Sequence, residues 1–118
     1  MADFGLFVGF GFPTRGREEA AVKVFQELLG TLGAQQQQGN VESFEPAFLQ
    51  PHGGDLSGFV FVRGDQAKLS AMVASPEFQK LMVRGQTIVE NFGVVNLLLG
   101  GEIMRQMSTF LPDTADLR

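Results

Sequence analysis

The polar residues best suited to chemistry surround the single histidine of the sequence, in the segment QPHGGDL at 50–56. His52 precedes two glycines, and Asp55 follows three residues after it. A histidine beside a carboxylate can act as a general base or supply half of a metal site. A Gly-Gly turn also carries polar residues for structural reasons, and no second histidine is present to share a metal. His52 is therefore a candidate catalytic residue, with a structural turn as the alternative.

Three further polar residues, Glu42, Arg63 and Asn96, lie in or beside segments that are otherwise apolar. Glu42 and Arg63 are predicted to share one face of a sheet, where cross-strand neighbours of opposite charge form an ion pair. Such a pair could act as an acid–base group or bind a substrate carboxylate. It could equally fix the register of a dimer interface or guard a strand edge against wrong pairing. Glu42 and Arg63 are candidate catalytic residues, and Asn96 is a candidate ligand contact.

The glycine-rich segment GFGFPTRG at 9–16 superficially suggests a phosphate-binding loop. Its glycine spacing fits neither the dinucleotide fingerprint nor the Walker pattern, and no Lys-Ser or Lys-Thr follows it. The sequence has no cysteine, which excludes disulfides, thiolate nucleophiles and thiolate metal ligands. We therefore expect neither a cofactor nor a metal site.

Length and charge limit the class of protein. A chain of 118 residues suits one domain with a sizeable core. Nine basic residues against 13 acidic ones give a net charge of −4, which disfavours nucleic-acid binding. No apolar run approaches the ~20 residues that span a bilayer, and the first residues do not resemble a signal peptide. We expect one cytoplasmic domain over residues 1–118, with a core at about 4–110 and a polar C-terminal tail.

The apolar pattern predicts the elements that would position these residues. Period-two alternation or a continuous apolar run indicates strands at 4–12, 40–50, 56–63 and 92–101. Helical spacing predicts a first helix over 16–33, with Val22 on its core side and Gly33 at its end. Asp65 and Ser75 are N-cap residues for helices over about 66–74 and 76–91. A short amphipathic helix follows at roughly 102–110.

This order of elements predicts an α+β, ferredoxin-like βαββαβ fold with an extra C-terminal helix. Right-handed crossovers place the first and third strands at the centre of a four-stranded antiparallel sheet, with both helices on one face. The strand that contains Pro46 is expected at an edge, because proline cannot donate to a strand ladder. If Leu6, Val8, Phe10, Ala47, Leu49, Val60 and Val62 face the helices, strand alternation predicts five phenylalanines on the uncovered face: Phe7, Phe44, Phe48, Phe59 and Phe61. A face this apolar needs a ligand, a nucleic acid or a second copy to cover it.

One family with this strand order is the RNA-recognition motif. LFVGF at 6–10 resembles its first signature and SGFVFV at 57–62 its second, so Phe7, Phe59 and Phe61 would hold the base-stacking positions. The sequence departs from the family at Phe10, where an asparagine is expected, and at Ser57, where a basic residue is expected. This resemblance implies a monomer that binds single-stranded RNA.

A second resemblance, over roughly 4–110, is to the dimeric α/β barrel superfamily. SPEFQKLMVRGQTIVENFGVVNLLLGG at 75–101 is similar to the interrupted second helix and last strand of many members. The resemblance implies a homodimer through the free sheet face, with a small hydrophobic or aromatic molecule possible between the sheets. It also allows a cofactor-independent monooxygenase or isomerase, or a dimerisation module with a filled interior. The predicted ligand contacts are the five phenylalanines and Asn96.

The last predicted helix carries Met104 and Met107 at helical spacing with Ile103 and Phe110. A methionine-rich surface can bind varied partners. The alternative is a terminal helix that docks on the sheet or on a partner subunit.

Overall fold

The computed structural model describes residues 2–118, which form one four-stranded antiparallel sheet with helices on one face. In chain order the elements are β1 (Phe4–Phe10), α1 (Glu18–Gln37), β2 (Ser43–Phe48), β3 (Gly58–Gly64), α2 (Gln66–Ala74), α3 (Pro76–Ile88), β4 (Gly93–Leu98) and α4 (Gly101–Asp113). A short 3-10 helix, Ala115–Leu117, follows α4. The predicted ferredoxin-like order with an additional C-terminal helix is confirmed.

The strands lie in the order β2-β3-β1-β4, so β1 and β3 are central and β2 and β4 are edges. All three strand pairs are antiparallel, with Leu6 opposite Val62 on one side of β1 and opposite Asn96 on the other. Pro46 lies on edge strand β2, where its missing N–H breaks no central ladder. Local residue choice and topology therefore agree, as the sequence predicted.

The core lies between the sheet and the helices. Leu6, Val8, Val60 and Val62 point to this side from the two central strands and are almost completely buried. The helices cover them with a set of apolar side chains: Leu28, Leu32, Leu69, Met72, Phe78 and Leu81. Burial of each such side chain contributes about 1.5–3 kcal/mol, so this layer accounts for most of the driving force for folding.

Helix α1 is longer than predicted, because it continues through Gly33 to Gln37. Ala34 and the following glutamines are good helix formers, and the turn that ends the helix falls at Gly39, whose φ is +82°. The helix is also rotated relative to the prediction, because Val22 is exposed while Ala21, Val24 and Leu28 are buried. Four glutamines predicted as loop therefore belong mostly to the helix.

The break between α2 and α3 matches the prediction. The Asp65 carboxylate accepts a hydrogen bond from the Lys68 N–H at 3.1 Å, and the Ser75 hydroxyl accepts one from the Phe78 N–H at 3.3 Å. Pro76 occupies the first position of α3, where its missing N–H costs nothing. Helix α3 ends at Ile88 rather than near residue 91, because Val89 adopts an extended conformation and pairs with Pro13.

The predicted faces of β2 are wrong. Phe44 lies opposite Val62 and Phe48 opposite Gly58, so both phenylalanines are on the helix side of the sheet. Val41 is also buried against the core, three residues before Phe44. Strict alternation cannot bury both positions, and the strand begins only at Ser43. The irregular backbone between Val41 and Ser43 shifts the alternation by one residue.

Helix α4 projects from the rest of the molecule. It is longer than predicted, and none of its residues is buried. The radius of gyration is 16.4 Å, against about 13.5 Å expected for a compact chain of this length.

On the polar side of α4, the hydrogen bond from Arg105 lowers the pKa of the Glu102 carboxyl. Neither this helix nor any other between residues 2 and 118 is long and apolar enough to cross a bilayer.

The tight approach of strands at Gly5 gives a direct test of the fold. A Cβ at Gly5 would lie 2.4 Å from the Val62 carbonyl oxygen. A Cβ at Gly30, an exposed position of α1, would meet no atom within 4 Å. We expect Gly5→Ala to lower the free energy of unfolding by about 2 kcal/mol or more, because backbone atoms must move. Gly30→Ala should raise it by about 0.5–1 kcal/mol, because alanine favours the helix. Urea denaturation measures both, and an unchanged Gly5→Ala variant would contradict the strand pairing.

Candidate functional site

An open cavity of about 890 Å³ lies between the sheet and its helices, at the end of the sheet where β1 ends and β4 begins. Its wall consists of the segment after β1, helices α1 and α3, the loop between β2 and β3, and the loop after α3. The cavity is on the helix side of the sheet, whereas the sequence favoured a ligand on the opposite face.

Backbone hydrogen bonds hold the loops of the cavity together. Ser57 N–H donates to the Phe10 carbonyl at 2.9 Å, which ties the β2–β3 loop to the end of β1. On the other side, Gly11 N–H donates to the Glu90 carbonyl at 2.6 Å, and Glu90 N–H donates to the Phe12 carbonyl at 3.0 Å. The cavity therefore has a fixed backbone frame at this end.

Three phenylalanines form an aromatic wall in the cavity: Phe10 from β1, Phe25 from α1 and Phe48 from β2. The ring centroids of Phe10 and Phe25 are 5.6 Å apart in an edge-to-face arrangement, and those of Phe25 and Phe48 are 5.4 Å apart. Phe48 is 70 % exposed and stands at the rim, as does Phe12. Aromatic side chains this exposed at a cavity mouth are available to a flat apolar molecule.

The remaining wall is mainly aliphatic, with contributions from Leu28, Leu29, Leu81, Met82 and Ile88. The charged or titratable residues that line the cavity, His52, Asp55 and Glu90, are all exposed residues of its rim. Across residues 2–118, no buried side-chain nitrogen or oxygen lacks a hydrogen-bond partner. The interior therefore offers apolar contacts, and polar contacts are confined to the mouth.

His52 is engaged within its own loop. Its Nδ1 accepts a hydrogen bond from the Gly54 N–H at 3.2 Å, and its Nε2 lies 2.8 Å from the Leu56 carbonyl oxygen. These contacts require a neutral ring with the proton on Nε2. Both nitrogens are thus used by backbone groups, and the ring makes no hydrogen bond with Asp55. This arrangement matches the structural-turn alternative.

Glu42 and Arg63 do not form the predicted ion pair. The Glu42 carboxylate accepts a hydrogen bond from the Ala2 N–H at 2.8 Å, and the Arg63 guanidinium donates to the Ala2 carbonyl at 2.9 Å. The backbone of Ala2 therefore lies between the two side chains and links them. Both groups are at the end of the sheet opposite the cavity, so they cannot act there together with His52.

The free face of the sheet is apolar, but its composition differs from the prediction. Phe7 and Phe59 are stacked with ring centroids 5.0 Å apart, and the Arg63 guanidinium lies 5.6 Å from the centroid of Phe61. Edge strand β4 contributes Val95, which lies opposite Phe7 and is 55 % exposed. Three phenylalanines with Val95 and Leu97 thus replace the predicted five phenylalanines.

Asn96 lies opposite Leu6 on the helix side of β4, at an exposed sheet edge. It belongs neither to the free face nor to the cavity wall. Of the predicted ligand contacts, the structure brings together Phe7, Phe59 and Phe61, and separates Phe44, Phe48 and Asn96 from them. Within the described chain, no group of three His, Asp or Glu side chains converges as a metal site would require.

The aromatic wall was missed as a site, although part of its signal is in the sequence. Alternation along β1 and helical spacing along α1 place Phe10 and Phe25 on the core side. Phe10 is the last strand residue before the turn at Pro13, so its ring lies at the end of the sheet. The sequence does not place Phe48 in this wall, because the face on which Phe48 lies depends on the shifted alternation of β2.

No protein-family model matches the chain, and no curated protein sequence does. Solved structures do match. A Dabb-family protein with a ferredoxin-like fold from Mesorhizobium loti is 20 % identical with a TM-score of 0.63, over 82 % of this chain and 97 % of that one. A dimeric ferredoxin-like protein of unknown function from Jannaschia is 15 % identical with a TM-score of 0.60, over 82 % and 98 %.

A putative antibiotic biosynthesis monooxygenase from Chloroflexus aurantiacus is also similar, at 17 % identity and a TM-score of 0.52, over 82 % of this chain and 92 % of that one. The chain therefore shares a ferredoxin-like fold with these structures. At these identities the likeness extends to the fold alone.

The contacts of His52 predict a structural role that exchange measurements can test. Replacing His52 with alanine removes the acceptor for Gly54 N–H and the donor to the Leu56 carbonyl, worth about 1 kcal/mol each. We expect faster hydrogen exchange at the Gly54 amide and little change in strand amides. Gln50→Ala, in the same loop, should leave exchange unchanged. Unaltered exchange in His52→Ala would show that the ring does not hold the loop.

Proposed function

We propose that the protein is a homodimer in which the free sheet faces of two copies pack together. Support comes from the apolar character of that face, where Phe7, Phe59 and Phe61 are only partly buried and Val95 is 55 % exposed. Contiguous apolar patches of this kind are usually buried in an interface. A neighbour of the same fold is described as dimeric, which agrees with this proposal.

We further propose that each subunit binds a small, mainly apolar molecule in the cavity on the helix side. The observation that carries this proposal is the volume of about 890 Å³ beside the Phe10, Phe25 and Phe48 rings. Ligand sites typically enclose ~300–1,000 Å³, with apolar walls and a few polar groups at defined positions. This cavity has that size and that distribution of polarity.

The lining restricts the class of ligand. A charged group in the interior would lose hydration without gaining a partner, because the charged residues lie only at the rim. A flat aromatic body fits best, because it can stack on or meet edge-to-face the three rings of the wall. A single polar substituent can remain at the mouth, near His52, Asp55 and Glu90. The proposed ligand is an uncharged aromatic or hydrophobic molecule.

A cofactor-independent monooxygenase or isomerase is the second candidate. The neighbour named as a putative antibiotic biosynthesis monooxygenase favours it. Of the candidate catalytic residues, only His52 lies at the cavity, while Glu42 and Arg63 lie at the other end of the sheet. Turnover would then depend on His52 and be insensitive to Arg63. Loss of activity in Arg63→Ala alone would contradict a site in this cavity.

A charge on the free face should prevent dimerisation. We expect Phe59→Arg to produce monomers, because two guanidinium groups would be buried without partners in a symmetric interface. Val83→Arg is the matched control, since Val83 is 57 % exposed on α3, away from the free face. Light scattering coupled to size-exclusion chromatography measures the mass of each variant across a concentration series.

The outcome also separates the proposal from RNA binding. A wild-type protein that stays monomeric at all concentrations would contradict the homodimer. A monomer that also bound single-stranded RNA in a salt-sensitive manner, and lost this binding in Phe59→Ala, would favour the RNA-recognition alternative.

Removal of an aromatic ring from the rim should weaken binding in the cavity. An uncharged fluorescent probe, N-phenyl-1-naphthylamine, is expected to bind wild-type protein with increased emission. Phe48→Ala should raise its Kd about three- to tenfold, because an aromatic contact is worth about 0.5–1.5 kcal/mol. Phe48 is 70 % exposed, so its truncation leaves the buried core intact, and Val83→Ala is the control. Equal affinity for wild type and Phe48→Ala would contradict this site.

A further inference from the structure

Helix α4 carries an apolar stripe along its whole length. Residues at relative positions 0, 1, 4, 7 and 8 fall on one side of a helix with 3.6 residues per turn. The stripe consists of Ile103, Met104, Met107, Phe110 and Leu111, which are 45–66 % exposed. The opposite side carries Glu102, Arg105 and Thr109. The helix is therefore amphipathic, with its apolar side uncovered.

The chain itself gives α4 little support. Its base is fixed where Leu99 N–H donates to the Asp3 carbonyl at 2.8 Å and Gly101 N–H approaches the Asp3 carboxylate at 3.4 Å. Gly100 supplies no side-chain cap at the start of the helix, and Pro112 lies inside its last turn. An isolated helix shorter than ~12–15 residues is marginal in water even with favourable residues. This helix of 13 residues therefore needs a surface to pack on.

The start of α4 lies next to the proposed dimer interface. Val95 and Leu97 face the free side of the sheet from β4, opposite Phe7 and Gly5. Leu99, just before the helix, lies over Gly5, with its Cδ1 3.1 Å from the position of a Cβ there. The apolar free face thus continues through Leu99 into the start of α4.

Charge argues against a lipid surface as the occupant. Helices that lie in membrane interfaces are usually rich in lysine and arginine on the polar side. The segment 101–113 contains one arginine, one glutamate and one aspartate, so its net charge is −1.

The stripe exposes roughly 400 Å² of apolar surface if each large side chain presents ~150 Å² in full. That is about half of the ~800 Å² that one partner contributes to a stable interface.

We propose that the apolar stripe of α4 packs on the second copy of the chain, so that each subunit of the dimer gives one helix and receives one. The inference rests on the proposed homodimer and adds a second contact to it. By two-fold symmetry the two helix contacts are equivalent. The stripe extends the proposed interface beyond the sheet face.

A charge placed in the stripe tests this arrangement. Met107→Asp should raise the Kd of the dimer at least tenfold, measured by analytical ultracentrifugation, because the carboxylate would be buried without a partner. Thr109→Asp adds the same charge to the opposite side of the helix and should change the Kd less than twofold. Equal dimer affinity for Met107→Asp and wild type would overturn the inference and leave the sheet-face dimer intact. A wild-type monomer would instead refute the homodimer itself, before any variant is compared.

A cross-linking measurement identifies the surface that the stripe contacts. The sequence contains no cysteine, so Met107→Cys provides one attachment point for a benzophenone maleimide. Illumination should give a covalent dimer. In a mixed sample, the cross-link should join a peptide of a benzophenone-labelled chain to a peptide of an unlabelled chain. Links only within one chain would overturn the proposal, because they would show that α4 folds back on its own subunit. Capture only into added lipid vesicles would overturn it in favour of a membrane surface.

Discussion

The structure depends on a sheet whose two faces are both apolar, while the helices of the chain cover only one. Val60 and Val62 on β3 are fully buried beneath the helices, whereas Phe59 and Phe61 point the other way. Each strand residue that strengthens the core therefore places its neighbours on the uncovered face. Helices α1, α2 and α3 cover one side, and the remaining face and α4 are left for a second surface.

The same alternation explains how far the sequence predicts the fold. On β1 and β3 every second residue is a large apolar side chain, so the faces, the strand order and the edge position of Pro46 follow from pattern and chain connectivity alone. On β2 a short irregular segment after Val41 reverses the faces of Phe44 and Phe48. The irregular backbone of this segment arises from its pairing with β3. The alternation of apolar residues within the segment does not predict this irregularity.

The candidate site is less predictable than the fold. The volume of a cavity is the small difference between the space that the backbone encloses and the volume of the side chains that fill it. Phe10 and Phe25 can be assigned to the core side from spacing, but spacing does not show whether neighbouring side chains fill the space between them. The cavity exists because loop backbones meet at Gly11, Ser57 and Glu90, at the end of the sheet. The role of His52 is likewise set by the distances to Gly54 and Leu56, which depend on the loop conformation.

The two uncovered regions lie on opposite sides of one layer of strands, and this separates binding from assembly. A ligand in the cavity contacts the Phe10 side of β1, while a second copy would contact the Phe7 side of the same strand. Neither contact would displace the other, so the proposed dimer would need no ligand to form. The cavity interior presents no titratable side chain, and the imidazole at its mouth is held by two backbone groups. Proton transfer to a bound molecule would require the loop to release His52, whereas apolar binding requires no rearrangement, so binding without turnover agrees better with this geometry.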